Sequence, residues 1–239
     1  MLSSQSIGIM VPTKGRPSRL KELYNSWLQH TEGHSEFVVG IDAEEKELYE
    51  WVKDTKIIVI DTPSEDYVKK ANFMAERMTD YDYLYLLGDD FVINSRFESV
   101  FLDYAEENCV LYGDDGLVGN RMSTACFIDN NIVRAIGYIA PPTLVHYFAD
   151  NVWSDWGKAL GTFKYIPGIK VTHNHHLKNK SLNDHVYKES DQYFKQDQIE
   201  YGKYIHYSLA EDIKKVLWKN QKRSSPDTKD LSDGQLLID

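Results

Sequence analysis

The sequence predicts an α/β fold with a mostly parallel central sheet and helices on both faces, and three observations carry that prediction. Four short apolar runs in the first ninety residues have the length of buried strands. A stretch with helical spacing of apolar residues separates the runs. Proline or acidic residues stand where each run stops. Strand and helix in alternation imply parallel pairing, because a parallel neighbour needs a crossover helix.

The elements follow in order. Ser6-Ile7-Gly8-Ile9-Met10-Val11 reads as the first strand, ended by Pro12. Pro17 opens a helix that places Leu20, Leu23, Tyr24, Trp27 and Leu28 on one face. Phe37-Val38-Val39-Gly40-Ile41 is the second strand. Asp42 after it can cap a helix, with Glu45 completing a capping box. Ile57-Ile58-Val59-Ile60 is the third strand, and Thr62, Pro63 and Glu65 repeat the capping pattern. The next helix carries Val68, Ala71, Ala75 and Met78 inward. Tyr83-Leu84-Tyr85-Leu86-Leu87 is the fourth strand and runs into Gly88-Asp89-Asp90. Phe97, Val100, Phe101, Tyr104 and Ala105 mark another amphipathic helix.

Beyond about residue 115 the alternation weakens. Ala125 to Ile128 reads as a strand, Asn130 to Ile136 as a short helix ended by Gly137, and Ile166 to Val171 as a late strand. One domain over residues 1–222 is expected, its last part (191–222) helical. The Ser-, Asp-, Lys- and Gly-rich residues 223–239 are expected to be a disordered tail. In such sheets ligands sit at the carboxyl ends of the strands, which is the edge occupied by Pro12-Thr13, Asp42 and Gly88-Asp89-Asp90.

Composition narrows the function classes. The 239 residues are 42% hydrophobic, enough for a sizeable core. A net charge of -10 argues against a surface given over to nucleic acid, although a local basic groove is compatible with it. The densest cationic run, Lys214 to Arg223, reads as a solvated helix face. Cys109 and Cys126 are the only cysteines and form no CxxC pair, which speaks against a disulfide framework or a zinc knuckle. No apolar run reaches the length of a membrane span and no signal sequence opens the chain, so a reduced, cytoplasmic location is the expectation.

Two clusters could carry chemistry. Adjacent carboxylates after a buried strand, as in Gly88-Asp89-Asp90, can hold Mg2+ or Mn2+ with positions left for diphosphate oxygens; the same triplet can also be a plain tight turn. Gly113-Asp114-Asp115-Gly116 has the same composition but lacks a long strand before it, and reads as a turn. In His173-Asn174-His175-His176, an extended backbone would point His173 and His175 to one side, where either could ligate a metal; a polar surface loop is the alternative.

Val11-Pro12-Thr13-Lys14-Gly15-Arg16-Pro17 resembles the opening of family 2 and related GT-A glycosyltransferases, and Leu86-Leu87-Gly88-Asp89-Asp90 resembles their DXD metal motif, with Gly88 in place of the first Asp. The resemblance spans roughly residues 6 to 190. It implies a GT-A fold, with a donor half of about 1–115 and an acceptor half of about 116–190. It also implies a nucleoside-diphosphate sugar donor, UDP-linked by preference, and a divalent Mn2+ or Mg2+. On its terms Asp90 is the metal ligand, completed by His173 or His175, and Asp89 contacts the ribose or a metal-bound water. Pro12, Thr13 and Arg16 border the nucleotide, Asp42 pairs with the nucleobase, and Lys70 and Asn72 contact base or phosphate. Asp150, at the start of a helix, takes the place of the inverting enzymes' general base, with Asp155 as second choice; as a residue type in that position Asp150 could equally be a helix cap. Tyr147, Trp153 and Trp156 are candidates for an acceptor subsite, the acceptor being a saccharide or a modified nucleic acid.

Three other classes share some of these features. A sugar nucleotidyltransferase would want a Gly-rich, basic loop after the first strand, for which Gly15 alone is a poor substitute. A polymerase palm uses Gly-Asp-Asp but is longer. A degenerate sugar- or nucleotide-binding domain would explain Gly88.

Overall fold

A computed structural model of the chain describes residues 5–63, 66–174 and 185–224. The strands are β1 (Ile7–Pro12), β2 (Ser35–Asp42), β3 (Ile58–Thr62), β4 (Tyr83–Leu86), β5 (Phe91–Ile93), β6 (Val110–Asp114), β7 (Cys126–Asp129) and β8 (Phe163–His173). They form one sheet in the order β3-β2-β1-β4-β7-β6-β8-β5. The β3-β2-β1-β4 half is parallel throughout, while β7 runs antiparallel to both β4 and β6. β6 and β8 are parallel, and the short β5 closes the far edge antiparallel to β8. The helices are α1 (Pro17–His30), α2 (Tyr67–Ala75), α3 (Glu98–Tyr104), α4 (Asn130–Ile136), α5 (Ala149–Leu160), α6 (His185–Ser190), α7 (Phe194–Tyr207) and α8 (Leu209–Ser224).

Alternation along β1 builds two cores. Ile7, Ile9 and Val11 face α1, packing with Leu20, Leu23, Tyr24 and Trp27. Met10 faces the other way, into a core shared with Val68, Ala71 and Met74 of α2, with α4 and α5, and with Ile213 and Val216 of α8. From β1 the chain steps one way to β2 and β3 and the other way to β4, so the order of strands reverses between β1 and β4. In an open α/β sheet a crevice forms at that reversal, outside the carboxyl ends of the strands.

Several local expectations change. Neither capping box forms. Asp42 makes no cap bond to residues 43–54, which are a kinked 3-10 segment. Its carboxylate instead accepts from Thr62 Oγ1 at 2.6 Å and pairs with Lys70 Nζ at 2.9 Å. Buried opposite an ammonium, a carboxylate is held more firmly than by an exposed cap. With Thr62 so engaged, α2 starts later, with Asp66 at its N-cap; Glu65 lies outside the described residues. Gly113-Asp114-Asp115-Gly116 does follow a strand: β6 is a buried run that places Asp115 at its end. β8 is also longer than the expected 166–171. Of the expected tail, residues beyond Ser224 lie outside the described residues, as does His175.

Candidate active site

The ends of β1 and β4 open into a cleft of about 240 Å³. Thr13, Arg16 and Lys70 line one wall, Gly88-Asp89-Asp90 and His173 the floor, and residues 146–150 with Trp153 the other wall.

Asp89 is held twice. Thr13 Oγ1 donates to its Oδ2 at 2.7 Å, and Arg16 Nη1 lies 3.2 Å from its Oδ1. Thr13 and Arg16 are held in turn by Tyr49, whose hydroxyl lies 3.1 Å from Thr13 Oγ1 and accepts the Arg16 amide at 3.0 Å. Glu45 Oε2 accepts the neighbouring Gly15 amide at 3.0 Å. Burial raises the Asp89 pKa to about 6, with the Arg16 charge pulling against it and Asp90 adding to the rise.

Asp90 turns the other way. Its Oδ2 lies 3.5 Å from His173 Nε2, and its backbone carbonyl accepts the Asn174 amide at 2.9 Å. Gly88 permits this: a Cβ there would stand 2.6 Å from Asp90 Oδ1. The missing first carboxylate of the DXD-like motif therefore leaves room for the last one. His173 sits at the end of β8, in register with Phe91 of β5, whose ring stacks on the imidazole at 4.1 Å and 18°. Behind it, Asp115 Oδ2 lies 3.8 Å from His173 Nδ1. Burial works against a charge on this imidazole, but Asp115 and Asp90 outweigh it and raise its pKa to about 9.

Asp150 stands in the first turn of α5 and lines the cleft. It is not the N-cap. That position is Phe148, held at φ 69°, a left-handed backbone that costs a bulky residue about 1–2 kcal/mol. The loop before it is tied down by Asp197 of α7, a fully buried carboxylate that accepts the amides of Val145, His146 and Tyr147 at 2.8–2.9 Å. Burial raises the Asp150 pKa, with the nearby His173 charge opposing it. Burial also lowers that of His146 to about 4.

The structure thus brings Pro12, Thr13, Arg16, Lys70, Asp89, Asp90, Asp150 and His173 to one cleft. Four expected positions differ. Asp42 is buried and locked by Thr62 and Lys70, and does not line the cleft. Lys70 Nζ also donates to the Thr13 carbonyl at 2.6 Å, which pins the end of β1. Asn72 is a structural clamp: its amide donates to the Ala140 carbonyl and accepts from the amides of Ile139 and Ala140. Asp155 points to α7, accepting from Tyr201 at 2.6 Å. Of the aromatic residues, Tyr147 and Trp153 line the cleft, while Trp156 is core and donates to Tyr204. Sequence reasoning does not reach Tyr49, Asp115, His146 or Asp197. Only Asp115 has a local signal, the apolar run Cys109–Tyr112 before it.

No protein-family model matches the sequence, and no curated protein matches it at a significant level. Among solved structures, two crystal structures of S. aureus TarS, a glycosyltransferase, are similar to it, each with a TM-score of 0.55 and 13% identity. The fold is GT-A-like. One alignment covers 70% of this chain and 37% of that TarS chain; the other, to TarS 1-349, covers 86% and 73%. The chain therefore spans little more than a third of the longer TarS structure. Among the described residues no helix is long and apolar enough to cross a membrane.

Proposed function

We propose that the protein is a metal-dependent glycosyltransferase that moves a sugar from a nucleoside diphosphate, UDP by preference, to a saccharide hydroxyl with inversion. The observation that carries this reading is the meeting, at the strand-order reversal, of Asp90 with His173 on the floor of a cleft whose wall bears Asp150.

The donor set suits a small divalent cation. Among the described residues no three carboxylates, histidines or cysteines converge as a closed metal cage. An oxygen of Asp90 and a nitrogen of His173, 3.5 Å apart on the cleft floor, match a site that leaves most positions to water and phosphate. Asp90 and His173 would hold Mg2+ or Mn2+, which when bound neutralises charge growing on the leaving diphosphate. Thr13, Arg16 and Asp89 form the rigid wall against which the nucleotide is bound. Asp150 takes the proton of the acceptor hydroxyl as that oxygen bonds to the anomeric carbon and the bond from that carbon to the diphosphate breaks. Tyr147 and Phe148, half-buried at the cleft, offer ring faces for a sugar on the acceptor side.

Calorimetric titration with UDP, with and without Mn2+, joined to a UDP-sugar turnover assay in which water serves as default acceptor, tests this. Tighter UDP binding with Mn2+ and slow donor hydrolysis, both lost in Asp90→Ala, are expected. Preference for nucleoside triphosphates would point to nucleotidyl transfer, and binding with no turnover of any donor would leave a binding domain.

A further inference from the structure

Asp115 lies outside the Gly88-Asp89-Asp90 motif, and the proposed metal site of Asp90 and His173 does not include it. Its carboxylate is 1% exposed, and its two oxygens have separate duties. Oδ1 accepts the amides of Leu117, Val118 and Gly119 at 2.8–3.0 Å and so closes the loop after β6. Oδ2 accepts from Thr124 Oγ1 at 2.7 Å and faces His173 Nδ1 at 3.8 Å. The backbone secures the approach, because the His173 amide donates to the Asp115 carbonyl at 3.1 Å. Phe91, stacked on the ring, fixes its plane. His173 therefore stands edge-on between two carboxylates, Nε2 toward Asp90 at the cleft and Nδ1 toward Asp115 behind.

We infer that Asp115 is a positioning residue that keeps the His173 proton on Nδ1, leaving the Nε2 lone pair to face the cation beside Asp90. A cation held beside Asp90 takes the place of a proton on Nε2, and the single N–H of the imidazole that remains then lies on Nδ1, facing the carboxylate of Asp115. A carboxylate can only accept, so Oδ2, at 3.8 Å and beyond direct hydrogen-bond range, favours the Nδ1–H tautomer through its charge. A carboxylate behind a ligating histidine both orients the ring and strengthens it as a donor, and its loss typically costs about 10- to 100-fold in metal affinity. The inference rests on the proposed metal site.

Asp115→Asn separates the two duties. The remaining amide oxygen can still accept the three loop amides, while an NH2 group replaces Oδ2 and presents a donor to Nδ1. That favours the opposite tautomer, with the proton on Nε2, where no cation can be held. Mn2+ affinity, read by electron paramagnetic resonance in the presence of UDP, should fall about 10- to 100-fold in Asp115→Asn. The melting temperature and metal-free UDP binding should stay near wild type. His173→Ala should lose a similar amount, and the double variant should lose no more than His173→Ala alone. Wild-type Mn2+ affinity in Asp115→Asn, beside weakened Asp90→Ala and His173→Ala, would overturn the positioning role and spare the metal site. Multiplying losses in the double variant would overturn it as well. Unchanged affinity in Asp90→Ala and His173→Ala would instead remove the metal reading itself. If Asp115→Asn does not fold, nitrogen-15 NMR of His173 in the Mg2+- and UDP-loaded wild-type protein decides. A proton on Nδ1 supports the role and a proton on Nε2 overturns it.

Discussion

At the scale of single residues, the cleft depends on which way each of two adjacent carboxylates turns. Asp89 is engaged by Thr13 and Arg16, whereas Asp90 is directed at His173. Gly88→Ala puts a methyl 2.6 Å from where Asp90 Oδ1 now lies and must displace that carboxylate. The variant should keep its fold, because the displaced atom is the end of a side chain, yet lose Mn2+-dependent UDP binding; calorimetry against a thermal melt reads both. Asp150→Asn tests the base. Asn matches the size of Asp but cannot take a proton, so kcat should drop about a hundred- to ten-thousand-fold with UDP affinity unchanged. Near-wild-type kcat would remove Asp150 from the chemistry. Asp155→Asn should leave kcat unaltered, since that carboxylate serves Tyr201.

At the scale of elements, α5 and α7 cooperate to present Asp150. Asp197 on α7 captures three consecutive amides, and the next residue, Phe148, is then forced into the left-handed region as the chain enters α5. Phe148 is kept there by stacking on Tyr201 of α7 at 5.1 Å. In Asp197→Asn one oxygen remains for Val145, while the amides of His146 and Tyr147 lose a charged acceptor. Each hydrogen bond to a charged group is worth about 1.5–3 kcal/mol, so stability should fall by on the order of 3 kcal/mol in a denaturant titration. The acceptor KM should rise while the Mn2+ affinity holds, because the floor of the cleft hangs on β4 and β8. A variant as stable as wild type would mean that the loop is held by other contacts.

At the scale of the whole molecule, the half-buried His146 contributes one part of the response to acid. Burial holds the His146 pKa near 4, against its ordinary value of 6.5; Asp197, Asp90 and Asp191 oppose this, and Arg16 adds to it. Between those values the unfolded chain binds the proton that the folded chain refuses, so stability rises with pH there. The contribution is complete above about pH 6.5 and is lost as pH falls toward 4. It reaches up to about 3 kcal/mol, reduced by the solvent in the cleft that the ring lines. His146→Gln should therefore flatten the melting temperature between pH 4 and 6.5 relative to wild type. An unchanged slope would assign the acid sensitivity to the carboxylates.

Much of the fold is legible in the sequence because its signals are local. The four strands of the parallel half are uninterrupted apolar runs, and α1 shows its buried face through the spacing of Leu20, Leu23, Tyr24 and Trp27. Pro17 and Gly137 mark a helix start and a helix end by backbone restriction alone. Gly88-Asp89-Asp90 is legible because a strand end needs no partner to be recognised. The rest depends on pairing between distant segments. Whether Asp42 caps the next residues or meets Lys70 depends on α2 packing across the end of β2. Asn72 on α2 shows the same ambiguity. Helical periodicity allows it a place at the cleft or in the core, and only the approach of residues 139–140 makes it a clamp. The site behind His173 is the clearest case. Asp115 and His173 are far apart in the chain, and their meeting requires β6 and β8 to pair in parallel through an irregular register between Tyr112 and Asp114. Periodicity along one strand states which side a residue faces; which strand lies alongside is decided only by how the whole sheet packs its two cores.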